Sequence, residues 1–166
     1  MTNLNGLYIA EMPLDSFMKT AREYLAPFDW AANIPEEYFG KVCQFMQSRV
    51  KRFVDVETWS YFFLDMPVYD EAAIAKYFKD ANFREALRRL PEAIQNVASF
   101  TAAEIEAAIG CVTDTLDIPH GKLNQTVRAA VTGTNIGAGI YETIELIGRD
   151  KTLARLEEAI HRFAQN

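Results

Sequence analysis

Apolar positions recur every three or four residues along almost the whole chain and no stretch alternates with period two, so the pattern predicts helices joined by short turns. Pro13 opens a helix carrying Leu14, Phe17, Met18, Ala21 and Leu25, since proline at a first helical position gives up only an N–H that lacks a partner anyway; Pro27 closes it. Pro35 opens the next, with Phe39, Val42, Cys43 and Met46 on one stripe that fades near Phe53. A short helix over 57–64 stops before Pro67, because the residue ahead of a proline is pushed out of helical space. Asp70 caps a helix bearing Ile74, Tyr77 and Phe78. Asn82 starts another in which Phe83, Leu87, Leu90, Ile94 and Val97 align, with a kink or break expected at Pro91.

Thr101 and Glu104 form a capping-box pattern, in which the hydroxyl accepts from the third helical amide and the carboxylate returns a bond to the cap. That helix runs to about Leu116, and Pro119 and Gly121 mark the turn beyond it. Residues 123–131 are apolar enough for a further helix, stopped at Gly133. Tyr141, Ile144 and Ile147 give the penultimate helix one buried face, ended by a left-handed Gly148. Asp150 caps the last helix, striped with Leu153, Leu156, Ile160 and Phe163. The expected fold is all-α, with a lobe boundary near residues 98–101 that divides it into packed helical subdomains over 1–98 and 99–166.

At 166 residues and 49% hydrophobic composition the chain can bury one ordinary core or two small ones, and disorder is not expected beyond the first few residues. Cys43 and Cys111 show neither a zinc spacing nor a CxxC pair, and both are expected to be buried thiols. The opening MTNLNGLYIAEM lacks the basic and apolar regions of a leader, and no apolar run approaches the roughly 20 residues of a membrane span. The expected setting is reducing and cytoplasmic, without a membrane partner.

A formal net charge of −6 argues mildly against a nucleic-acid partner, yet its distribution matters more. No acidic residue falls between Asp117 and Glu142, a window holding His120, Lys122 and Arg128 that could face a polyanion. Lys41, Arg49, Lys51 and Arg52 form a second basic group and Arg84, Arg88 and Arg89 a third, although solvated helix faces explain such groups more often than not. The glycine-rich run from Gly133 to Gly139 suggests a phosphate loop, but Glu142 stands where a dinucleotide fingerprint needs its third glycine, and no GK[ST] follows; a flexible turn with exposed amides is the better reading. His120 and His161 lack the helical partners of a metal site, and no Ser or Cys stands in a nucleophile elbow. No catalytic residue, metal ligand or cofactor site is expected in this chain.

Residues 121–133, GKLNQTVRAAVTG, resemble the glutamyl-tRNA synthetase segment that runs roughly G-K-x-x-Q-P-L-R-x-A-L-T-G, and residues 139–156 continue along its P-G-L-F-E-x-L-x-x-L-G-K-E-R-x-L-x-R-L pattern. Upstream, residues 5–12 resemble the family's N-x-x-Y-I-x-x-M entry, residues 44–49 its helix ending in arginine, and residues 61–63 its Y-F-F element. The resemblance implies the C-terminal part of a bacterial-type synthetase: an α-helical cage of two subdomains that holds the anticodon stem-loop of tRNA-Glu. It places Arg49 near the third anticodon base, where its planar fork could read or stack on a splayed base; a surface salt bridge is the plain alternative. Arg128 matches the arginine that contacts the first base with a Thr-Pro pair, but Gly137 and Ala138 stand at the Thr-Pro positions, so any contact there comes from backbone groups, and Thr126 replaces the family proline. Ile140 matches a leucine that packs near the middle base, with an ordinary core role the alternative. Lys122, Arg128 and the group of Arg84, Arg88 and Arg89 would meet phosphates, implying a steep loss of affinity with salt.

The family's H-I-G-H and K-M-S-K-S type elements are absent from this sequence. The resemblance therefore implies a fragment without chemistry of its own, partnered by the catalytic domain of a parent that ligates glutamate to tRNA with ATP and Mg. A helical protein-interaction domain built on the same scaffold is the competing expectation.

Overall fold

The computed structural model describes residues 2–165, with side chains from residue 6 onward, so the Asn5 side chain of the opening motif lies outside the described residues. All regular structure among them is helical. Two compact units form, one ending at Leu64 and the other beginning at Asp65, and residue 98 lies within the second, between two of its helices.

The first unit comprises α1 (Thr2–Glu11), α2 (Leu14–Leu25), α3 (Glu36–Met46) and α4 (Ser60–Phe63), with 3₁₀ turns at Asp29–Ala31, Gln47–Arg49 and Phe53–Thr58. Phe17, Phe39, Val42, Cys43, Trp59 and Phe62 form its core, and the Phe17 ring stacks on Phe53 at 5.7 Å between centroids. The expected prolines open α2 and α3. Periodicity gave no sign of α1; its end is fixed from a distance, where Gln47 Nε2 donates to the carbonyls of Ile9 and Met12 at 2.8 Å each. Residues 57–64 are not one helix, since a 3₁₀ turn fills their first part and α4 only the end.

The second unit comprises α5 (Glu71–Tyr77), α6 (Ala81–Gln95), α7 (Ala102–Thr115), α8 (Asn124–Thr132), α9 (Ile140–Ile147) and α10 (Arg149–Phe163). α6 packs on α7 and α10, while α8 lies among α5, α9 and α10. Asp70 caps α5 as expected, accepting from the Ala72 amide at 3.1 Å. The cap of α6 is Asp80, two residues ahead of the expected start, and it accepts from both Asn82 and Phe83. α6 continues through Pro91 without a break: the packing of its apolar stripe on two neighbours outweighs one missing hydrogen bond. Thr101 caps α7, but the Glu104 carboxylate returns to the Ser99 amide at 3.1 Å, and Glu145 of α9 accepts from Ala102 at 2.6 Å.

Gly133 ends α8 in the left-handed conformation, φ 83° and ψ −7°. Gly148 differs from expectation: its φ of 94° is positive but its ψ of 160° is extended, and it closes α9 and opens α10 at once, so Asp150 falls inside the first turn of α10 rather than at its cap. Cys111 also departs from expectation, being exposed on α7, whereas Cys43 is buried and its thiol is pushed up to about 12 by desolvation. A thiol-specific chromophoric reagent at neutral pH should therefore titrate one sulfhydryl per native chain, and the second only in denaturant.

Candidate nucleic-acid interface

α8 determines where the expected site residues go. Every residue from Thr126 to Thr132 is buried, so this helix is the axis of the second unit. The middle of the acid-free window from Asp117 to Glu142 is therefore core, while its flanks over 119–122 and 136–137 are exposed.

Arg128, on that axis and only 9% exposed, turns inward. Its Nη1 donates to the Ala138 carbonyl at 2.6 Å and its Nε to Gln125 Oε1 at 3.2 Å. The structure thereby brings together Arg128, Ala138 and the start of α9, where Ile140 is a core residue at 3% exposure. Gly137 is exposed beside them. The loop over 133–139 is tied at several points rather than free: Asp70 donates its amide to the Gly133 carbonyl at 2.8 Å, and Asn135 Nδ2 donates to the Tyr77 hydroxyl at 3.3 Å. Glu142 folds its carboxylate against Gly139, so the N-terminus of α9 already has an anion over it and is not an open phosphate site.

Lys122 is exposed in the turn that leads into α8. His120, in the same turn, lies 3.2 Å from the Glu106 carboxylate. Arg84 and Arg88 sit elsewhere in the unit, on α6, and are engaged. Arg84 Nη1 donates to the carbonyls of Phe78 and Lys79, which end α5. Arg88 donates to the Ala164 carbonyl at 2.7 Å, just past α10, and with Arg89 holds Glu85, whose carboxyl those arginines keep below its ordinary value.

Arg49 belongs to the first unit. It is exposed at the end of the 3₁₀ turn after α3, with Nη1 on the Phe45 carbonyl at 2.5 Å and its guanidinium 4.3 Å from the Phe45 ring centre. Among the described residues no carboxylate comes within ion-pair distance of it, so the salt-bridge alternative is not realised. Its neighbours Lys41 and Arg52 face Glu37 and Asp55 at 3.8 and 3.7 Å.

Sequence reasoning missed Arg149 and Arg155. Arg149 donates to the carbonyls of Ile94, Gln95 and Val97, capping the end of α6. Arg155 is 0% exposed and donates to the carbonyls of Val131 at 2.9 Å and Asp65 at 3.3 Å. Five-donor guanidinium forks suit these ends, where the last carbonyls of a helix lack amide partners and carry its negative pole. Among the described residues no group of His, Cys, Asp and Glu converges to hold a metal ion, and no helix is long and apolar enough to cross a membrane.

The second unit thus carries a braced glycine loop, and the first an exposed arginine, Arg49, without a carboxylate partner among the described residues. A family model described as "anticodon binding domain" matches residues 16–160, and the chain belongs to that family. Its curated relatives include glutamate–tRNA ligase 1 of Caldanaerobacter subterraneus subsp. tengcongensis, 28% identical, with 100% of this chain and 35% of the relative covered. Glutamate–tRNA ligase 2 of Thermoanaerobacter pseudethanolicus is 30% identical, with 96% and 34% covered. The crystal structure of a glutamate tRNA ligase from Elizabethkingia meningosepticum in complex with its amino acid matches with a TM-score of 0.82 at 22% identity, covering 98% of this chain and 32% of that one, which establishes the fold. The chain spans about a third of the length of these relatives.

Proposed function

We propose that the chain binds the anticodon stem-loop of a tRNA, with tRNA-Glu the partner, as the RNA-reading part of a longer glutamate–tRNA ligase. The observation that carries this reading is the family match over residues 16–160. In such a ligase the remaining two thirds would hold glutamate, ATP and magnesium, and this chain would orient the RNA toward them. The subdivision at residue 98 is retained only as a proposal about which helices meet the RNA.

Arg49 is the residue assigned to base discrimination, since its fork has an open flank beyond Phe45. Lys122 and the exposed backbone at Gly137 supply contacts in the second unit. Arg128 acts by bracing the loop through Ala138, while Arg84 and Arg88 hold helix ends, so the phosphate term is smaller than the sequence implied. With the exposed cations Arg49, Lys122 and Lys76 engaged, log affinity should fall with log salt at a slope of about −2.

The test is anisotropy titration with tRNA-Glu and tRNA-Gln transcripts at two salt concentrations, comparing wild type with Arg49→Gln. Preference for tRNA-Glu that drops about tenfold in the variant is expected, because one bidentate arginine-to-base contact is worth about 1–3 kcal/mol. Equal binding of both RNAs by both proteins would remove Arg49 from the reading. A protein-docking role has one observation in its favour: Leu7, Tyr8, Tyr24 and Val54 are exposed in the first unit, where Tyr8, Tyr24 and Val54 line a cleft of about 380 Å³. Failure of a folded sample to bind either RNA would promote that role.

A further inference from the structure

On the second unit, Tyr77 and Asn135 form a polar pair that the role of Arg128 does not absorb. Tyr77 ends α5 and is half-buried; its carbonyl accepts from Thr126 Oγ1 at 2.8 Å, which fixes its backbone against the first turn of α8. Asn135 stands in the glycine loop, and its Nδ2 donates to the Tyr77 hydroxyl oxygen at 3.3 Å. Lys76 brings its ammonium 5.3 Å from the centre of the same ring. The phenol oxygen is thus surrounded by donors, and among the described residues nothing accepts its own proton. Asn135 Oδ1 is likewise without a donor among them. The two groups leave a fixed O–H donor beside a fixed amide acceptor.

The setting selects the class of molecule that this pair fits. Ile136, next to Asn135, is 76% exposed, and Gly137 beyond it adds no side chain, so an apolar surface adjoins the polar pair. Lys76 sets a positive charge beside the ring, and the stretch that carries Asn135 has no carboxylate from Ile118 to Tyr141. A planar ring whose edge carries adjoining donor and acceptor groups, attached to a negative backbone, meets all of these requirements. Each nucleobase has such an edge, and only an unstacked base in a single strand presents it to a side-chain pair.

We infer that Tyr77 and Asn135 together receive one unstacked base of a single-stranded RNA loop, Tyr77 donating to it and Asn135 Oδ1 accepting from it, with Ile136 against its face. This assignment rests on the RNA-binding reading above and adds a recognition pair to it. The amide of Asn135 and the ammonium of Lys76 also hold the phenol below its ordinary pKa, consistent with a stronger outward donor.

The experiment uses the 166-residue chain and a set of RNA stem-loops with seven-nucleotide loops, one intact and the others abasic at single loop positions. Tyr77→Phe keeps the ring and removes only the exposed hydroxyl; Asn135→Ala removes the acceptor. Each should weaken binding of the intact loop about three- to tenfold, the worth of one hydrogen bond. Each should leave affinity unchanged for the one abasic loop lacking the received base, with melting temperatures within a degree or two of wild type. If wild type binds the intact loop but the variants bind it equally well, or lose the same factor on every abasic loop, the pair receives no base while the RNA-binding reading stands. If wild type binds the stem-loop no better than a blunt duplex, that reading fails and the inference with it.

Discussion

Replacing Arg155 with alanine should lower the unfolding free energy by about 4 kcal/mol, read as a drop in urea midpoint at unchanged slope. Arg155 is among the largest fully buried side chains, and its removal leaves both a cavity and the carbonyls of Val131 and Asp65 without these donors. Arg155→Met separates the two contributions, because it refills most of the volume but supplies no hydrogen bond. The loss should then be roughly half as large. A methionine variant as stable as wild type would mean that Arg155 contributes packing alone. Tyr69 tightens the same region, its hydroxyl 3.0 Å from the Ala130 carbonyl.

Gly133→Ala should cost about 3 kcal/mol, visible as a fall of several degrees or more in melting temperature. A Cβ there would lie 2.9 Å from the Val68 carbonyl carbon and nearer still to its oxygen, which is backbone and cannot swing aside. The left-handed φ of 83° adds a penalty of about 1–2 kcal/mol for any L-residue. Gly121 supplies the control, since it shares that φ but a Cβ there would meet nothing within 4 Å. Gly121→Ala should therefore cost only the conformational part. Equal losses at the two positions would show that segment 67–68 yields to accommodate the methyl.

What the sequence disclosed follows from how local each interaction is. The stripes of α2, α3, α6 and α10 and the caps at Asp70 and Thr101 arise from neighbours within a turn or two, and spacing reads them directly. α1 was missed because Gln47, far along the chain, fixes its end. Asp150 had the composition of a cap, but Gly148 reverses the chain first and takes the position. The basic groups show the same limit: spacing reveals that Arg84 and Arg88 share one helix and that Arg128 lies in an acid-free window, but not that each donates to a carbonyl. Within the candidate interface, Arg49 and Lys122 were legible as exposed cations, whereas the Tyr77–Asn135 pair joins residues 58 positions apart and left no local trace.

Every cation-to-carbonyl bond described above is made by arginine, and the exposed charges at Lys76 and Lys122 are lysines. Acylating agents attack amines and leave guanidinium groups alone, and the guanidinium stays protonated far above the range in which an amine titrates. Lysine acetylation would accordingly strip charge from the outer surface while the bonds that fasten the helix ends remain, so what this protein attracts can be altered chemically without loosening what holds it together.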